Sequence, residues 1–449
     1  MNKNKENPVS RGRLIAFAAL ALPLAGVTMP ITAFIPAFYS SQMGLSLGTI
    51  GFALMALRFA DVFVDLIIGY LSDNTKSKFG RRRPWIIGGT ILLLPAIWMC
   101  YVPPSSVTIQ YLLIWVGVAY LGWSLVNIPY SAWSADLSSE PTERRRIAGW
   151  REVGHLAGIF FALSIPFVAA FFGYGIDSVT MRWLAYLVCP MLVIGAVLTT
   201  RIREPKSIGA ERPNWNAGLR YMISNKPFRQ FFLFSFLAYA AQAFVQATFV
   251  LYVTFYVASP TLAGPLFLGY FAIAILATGP SVKVSERFGK HKTTAISMAI
   301  WTVIFFTIAT LEPNEPILFG ILFLLSGVAA AAPMTLAPAL LADVSDYATM
   351  KTGRKEAGQY FAVWNTIQKA TSAVGVGVAL PLLGWLGFNP HEVTEDGLQA
   401  LRIVCFIIPA LPYLAASFVL WNFSLSDSRQ SIIRRRLLVM EARSTEDAP

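Results

Sequence analysis

Charge is scarce in this sequence: Asp, Glu, Lys and Arg make up 13% of the 449 residues, about half of the roughly 25% that a water-facing domain carries. Cysteine and histidine are rarer still, three of each. Cys100, Cys189 and Cys405 lie far apart inside or at the ends of apolar stretches, which excludes a disulfide framework and a Cys/His metal cluster and leaves them as packing residues. A Gly-rich phosphate loop and a nucleophile motif are both missing, and His291 and His391 sit in polar loops, so neither an enzyme nor an organic cofactor is expected. Apolar residues, by contrast, are 55% of the chain, with a mean hydropathy of +0.57. Lipid is therefore the solvent for most of it.

Crossing about 30 Å of hydrocarbon as a helix takes roughly 20 apolar residues, and twelve such stretches recur, at 13–40, 48–71, 86–103, 109–134, 147–172, 182–200, 230–257, 263–284, 294–311, 316–342, 357–385 and 400–422. The first is too long for a signal peptide and has no small-residue cleavage site after it, so it is expected to be retained. Basic residues fill every second loop: 31 of the 36 Lys and Arg lie there or at the termini, against Arg182 and Arg402 on the other side. Because translocating such loops is unfavourable, both termini are expected in the cytoplasm of a multi-pass inner-membrane protein. The net charge of +12 is then a topology signal, with no nucleic-acid partner implied.

The chain also echoes itself. Phe79-Gly80 followed by Arg81, Arg82 and Arg83 returns as Phe288-Gly289 followed by Lys290 and Lys292, and Ala135-Asp136 before Ala148-Gly149 returns as Ala342-Asp343 before Ala357-Gly358, at offsets of 207 to 209 residues. A duplicated six-helix unit, with an even helix number per copy, predicts two bundles related by a pseudo-two-fold axis along the membrane normal, as in transporters of the major facilitator type. The expected boundaries are 1–200 and 230–423 for the bundles, 201–229 for the linker and 424–449 for the tail.

Charges within membrane spans cost about 2.5 to 3.5 kcal/mol each on insertion scales and mark function by default. Arg58, Asp61 and Asp65 stack on one helical face at i, i+3 and i+7, and two carboxylates one turn apart suit a small hard cation or a shared proton. A structural Arg58–Asp ion pair is the plain alternative. In the eleventh span Lys369 has Asn365 one turn away and Gln368 beside it, and a lone ammonium there needs a carboxylate partner, for which Asp61 or Asp65 is available, or an anionic ligand. Arg151 and His155, at i and i+4, face one cavity, with Glu152 turned elsewhere; Arg151 snorkelling to the interface is the alternative. Trp123, Ser124, Asn127, Tyr130 and Trp133 in the fourth span, with Gln242 and Gln246 in the seventh, mix aromatic faces with amides and hydroxyls. That mixture suits hydroxyl-rich rings, although Trp also collects at membrane interfaces without function.

Taken in order along nearly the whole chain, Arg58-Phe-Ala-Asp61-Val-Phe-Val-Asp65 with Gly69, Lys78-Phe-Gly80 through Pro84-Trp85, Asn127-Ile-Pro129-Tyr130, and Ala342-Asp343-Val-Ser-Asp346-Tyr347 with Thr352-Gly-Arg354-Lys-Glu356 resemble the glycoside-pentoside-hexuronide:cation symporters, the melibiose-carrier-like branch of the major facilitator superfamily. The resemblance implies that Asp61, Asp65 and Ser124 form the cation site, where the two aspartates would ligate the metal if the ion is Na⁺. It implies that Lys369, with Arg58, couples cation to solute. Arg151 matches a substrate-site arginine, to which Asn127, Tyr130, Trp133, His155, Gln242, Gln246, Asn365 and Gln368 are added as substrate candidates. Asp73, Gly80 and Arg81 would form a cytoplasmic gate. The chain departs from the melibiose carrier at Ala25 and Asn127, where acids stand there, and at Val64, which replaces an asparagine. Galactoside specificity is therefore not transferred. A cavity that loses two acids while keeping Arg151, His155 and Lys369 favours an anionic solute such as a hexuronide or sulfonated sugar.

The expected activity is alternating-access symport of a sugar or glycoside with H⁺ or Na⁺ by a functional monomer, with a small-molecule substrate and the bilayer as its partners. Two rivals remain: a lysophospholipid or other amphiphile symporter on the same fold, and a nontransporting sensor or assembly factor.

Overall fold

The computed structural model of the chain describes residues 9–138, 141–202, 204, 215–353, 357–425, 429–433 and 435–437. Parts of the expected linker and tail, the family-block residues Arg354 and Glu356, and the side chain of Asp136 lie outside the described residues.

Among the described residues all regular structure is helical. α1 runs in three pieces, Arg11–Ala18, Ala21–Ala33 and Ile35–Ser41. α2 is Leu47–Asn74, α3 Arg83–Tyr101, α4 Ile109–Asp136, α5 Pro141–Phe171 and α6 Ser178–Thr200. After a short helix, Trp215–Ser224, come α7 (Lys226–Leu251, extended by a π turn, Tyr252–Tyr256), α8 (Ala263–Phe288), α9 (Lys290–Ile308), α10 (Pro316–Thr352), α11 (Ala357–Trp385) and α12 (Glu395–Trp421, with a π turn at Ile403–Ile407). Eleven of these are long and apolar enough, by length and composition, to cross a membrane. α2 is not among them, although its 28 residues exceed the required length; it carries Arg58, Asp61 and Asp65. The expected twelve is thus eleven apolar helices plus one charged helix.

Helices outrun the apolar stretches on the basic-loop side. α5 begins at Pro141 instead of 147, and α10 continues to Thr352 instead of 342. Hydropathy marks where lipid ends, whereas backbone hydrogen bonding continues into water. α10 stops only at Gly353, whose left-handed backbone (φ 69°) lets its N–H bond the Thr349 carbonyl at 2.8 Å.

The chain packs as two compact units. The first comprises Met1–Gly209, Gln246–Leu268 and Val376–Leu401; the second comprises Ala210–Val245, Gly269–Gly375 and Arg402–Pro449.

In the first unit α1 is the hub. Proline cannot donate to the preceding turn, and Pro30 lies inside the second piece while Pro36 opens the third. Neighbouring helices place hydrogen-bond donors on α1 carbonyls: Tyr130 on Phe17 at 2.7 Å, Trp123 on Leu24 at 3.1 Å, Tyr101 on Val27 at 3.1 Å and Thr199 on Ala16 at 3.2 Å. α5 crosses at Gly154 and Gly158, where an added Cβ would stand 2.5 Å from the Ala18 oxygen and closer still to that of Leu22. Such close backbone approach through small residues is the usual basis of helix association in lipid. At the end of the unit remote from the basic loops, α2 meets the last turns of α11, and a Cβ on Gly51 would lie 2.6 Å from Pro381 Cδ.

The basic loop after α2 is a built structure. Gly80 takes φ 105°, Arg82 Nη1 lies 2.6 Å from Asp73 Oδ1 and 3.1 Å from Ser72 Oγ, and the Arg82 amide donates to Glu204 at 3.0 Å. Arg82 is thus a base bound to Asp73. Its counterpart in the second unit has Gly289 at φ 89° and Lys290 bonded to Asp343. The sequence echo is therefore a conformational echo as well. Elsewhere in that unit α9 and α12 pack through Trp301 stacked on Tyr413, ring centroids 4.5 Å apart and 10° from parallel, and through Ser417 donating to the Ala295 carbonyl at 2.8 Å.

Candidate functional site

The i, i+3, i+7 spacing on α2 turns Arg58, Asp61 and Asp65 toward α4, which answers with Tyr120 and Ser124 on one of its own faces. Ser124 is fully buried and Asp61 is 4% exposed. Ser124 Oγ stands 2.9 Å from Asp61 Oδ1 and 2.6 Å from Asp65 Oδ1. Arg58 closes the group, with Nη1 at 3.7 Å from Asp61 Oδ2 and its guanidinium carbon 4.1 Å above the Tyr120 ring. The expected Arg58–Asp61 pair and the expected cation-site trio are therefore the same constellation.

A hydroxyl has one proton to donate and lone pairs to accept with. Ser124 can satisfy one carboxylate as a donor; the second oxygen at hydrogen-bond distance requires a proton on that carboxyl or a cation shared by the oxygens. Among the described residues no group of three or more His, Cys, Asp and Glu side chains is placed to hold a metal ion.

Other expected residues divide between the units. Arg151, His155, Asn127 and Gln246 belong to the first; Gln242, Asn365, Gln368 and Lys369 belong to the second. His155 Nδ1 lies 4.0 Å from Glu152 Oε1, so Glu152, expected to turn elsewhere, shares the surroundings of His155. Tyr130 and Trp133, expected to meet solute, are 1% and 0% exposed. Tyr130 is bonded to α1 and its ring lies 4.6 Å from Phe17, with Trp133 at 6.2 Å from the same ring. They pack α4 on α1 and present no ring to open space. Trp123 likewise gives its indole N–H to α1. Tyr120 is the residue that sequence reasoning missed. Its signal was available, since it precedes Ser124 by one helical turn.

A model of the family described as MFS/sugar transport protein matches residues 16–427. The chain is 24% identical over 416 residues to the glucuronide carrier protein homolog of Escherichia coli (strain K12), covering 88% of each. It is 24% identical over 441 residues to the putative glycoside/cation symporter YagG of the same organism, covering 92% of this chain and 91% of that one. Among solved structures, the nucleoside transporter NupG superposes with a TM-score of 0.64 at 14% identity, covering 92% of this chain and 99% of that one. That likeness bears on the fold, which is that of a major facilitator transporter.

Proposed function

The chain belongs to the MFS/sugar transport protein family, a family of multi-pass sugar symporters, and we propose that within it this protein couples inward movement of a proton to uptake of an anionic sugar or glycoside across a bacterial inner membrane, with both termini cytoplasmic. The observation that carries the proposal is Ser124 Oγ held between Asp61 at 2.9 Å and Asp65 at 2.6 Å. One added proton lets that hydroxyl donate to one carboxylate and accept from the other, whereas Na⁺ is held by oxygen ligands alone. Val64, where an asparagine would add one, supports the same choice.

Binding of the ion neutralises one charge on α2 and leaves Arg58, 3.7 Å from Asp61, with less negative charge to balance. Ion binding thereby changes the electrostatics of the helix that carries it. The anionic solute is supported by the polarity of the remaining in-membrane charges, Arg151 and Lys369, and by the likeness to a glucuronide carrier protein homolog. Lys369 is proposed to couple ion to solute, and Asn127, Arg151, His155, Gln242, Gln246, Asn365 and Gln368 to contact it.

The test is uptake into proteoliposomes of glucuronides and neutral glycosides under separately imposed H⁺ and Na⁺ gradients. Accumulation of the acid glycosides driven by the H⁺ gradient, and lost in Asp61→Asn, is the expected result. Accumulation driven only by Na⁺ refutes the choice of ion. Uptake of neutral glycosides alone refutes the choice of solute.

A further inference from the structure

Inside the second unit, α7, α8, α9, α10 and α12 enclose a cavity of about 170 Å³. Its walls are aromatic: Phe234, Tyr239, Tyr270, Phe271, Trp301 and Tyr413. Met298 and Met334, with small residues including Ala330 and Ala337, fill the gaps, and Gln242 contributes an amide. Among the described residues no charged side chain lines it. Trp301 is 93% buried (7% exposed), and its Nε1–H has no hydrogen-bond partner among the described residues.

These features select a ligand. The Trp301 N–H is itself closed off from the open space, so the ring faces, and not the donor, are what the cavity offers a ligand. An enclosure of about 150 Å³ lined by apolar side chains takes up benzene, and aromatic faces add offset or edge contacts to a flat ring. A carboxylate or a polyhydroxylated ring would be poorly served, because one amide and a few phenols cannot replace its hydration. Gln242, already expected to meet solute, lies in the same wall.

We propose that this cavity binds the uncharged ring of the substrate's aglycone, and that the transported solute is an aryl glycoside whose ring seats against the Trp301–Tyr413 stack. The inference rests on the sugar-symport reading and names the substrate class within it. The cavity sets the preference among aglycones; recognition of the sugar belongs to other residues.

The experiment compares phenyl, 4-nitrophenyl and methyl β-D-glucuronides as competitors of uptake, as ratios within each variant. Burying a phenyl ring predicts that phenyl competes at least about tenfold better than methyl in the wild type. Ala337→Leu, which fills the cavity, should bring that ratio to within about twofold. 4-Nitrophenyl, which keeps the flat ring, should likewise lose its advantage over methyl in Ala337→Leu. Equal competition by phenyl and methyl in the wild type, or a preference that survives Ala337→Leu, overturns the proposal. If neither glucuronides nor neutral glycosides are transported, the sugar-symport reading fails. The cavity is then tested alone, by saturation-transfer NMR of phenol on purified carrier. Transfer present in the wild type and lost in Ala337→Leu supports a ring site; equal transfer, or none, means water only and overturns it.

Discussion

Replacing Ser124 by alanine removes the hydroxyl that bridges Asp61 and Asp65. In the ion-free state the hydroxyl donates to one carboxylate. With a proton bound it donates to one and accepts from the other, so the loaded state has one more hydrogen bond, at the 2.6 or the 2.9 Å contact. A hydrogen bond of this kind contributes about 0.5–1.5 kcal/mol net. The proton concentration giving half-maximal uptake should therefore rise roughly 2- to 12-fold in Ser124→Ala. The carrier's other properties should change little, because the alanine methyl occupies most of the fully buried site. The assay is initial uptake rate in proteoliposomes as a function of external pH at fixed membrane potential, with Asp65→Asn as the uncoupled reference. Asp65→Asn should lose concentrative uptake while retaining exchange of solute down its own gradient. A Ser124→Ala carrier with unchanged half-saturation for protons refutes the bridging role, as does one whose half-saturation shifts only for Na⁺.

Two further substitutions test the packing that positions the site. Gly158→Ala drives a Cβ into the Leu22 carbonyl of α1, an overpacking of the sort that costs about 1–3 kcal/mol; the thermal unfolding midpoint of the purified carrier should fall by several degrees, while Gly149→Ala, with open space around its Cβ position, should leave it in place. Gly51→Ala sets a methyl 2.6 Å from Pro381 Cδ and should slow uptake several-fold without moving the half-saturating proton concentration, since α2 is touched one end away from Asp61. A rate and a half-saturation that move together would refute that separation.

The charged face of α2 was legible because three charges in one lipid span are too costly to be incidental, and the i, i+3, i+7 spacing set their common direction. The Phe-Gly-base repeat was legible because positive φ at Gly80 and Gly289 demands glycine at matching places. What escaped is which face of α4 does what. Trp123 and Tyr130, seven residues apart, both donate to α1, whereas Tyr120 and Ser124 face α2. A membrane helix that is apolar all round gives no contrast between a cavity face and a packing face, so every polar aromatic looked equally suited to solute. The breaks in α1 were hidden for a related reason: the stretch is uniformly apolar, and prolines are tolerated inside membrane helices, so neither hydropathy nor Pro30 and Pro36 marked where the helix divides.

α2 joins two jobs that sequence alone keeps apart. Its middle carries the ion site, and its first turns carry Gly51, seated against Pro381, and Met55, packed on Gly377. Ten residues separate Gly51 from Asp61, about 15 Å of helix at 1.5 Å per residue, with no proline between them. A change in charge at Asp61 and Asp65 therefore acts on a continuous rod whose far end packs against the Pro381 and Leu380 side chains of α11. The helix that carries three charges in its membrane span is also the one packed closely on α11 at Gly51. Its unusual charge is best understood as the cost of putting the ion site on the element that can transmit its occupancy.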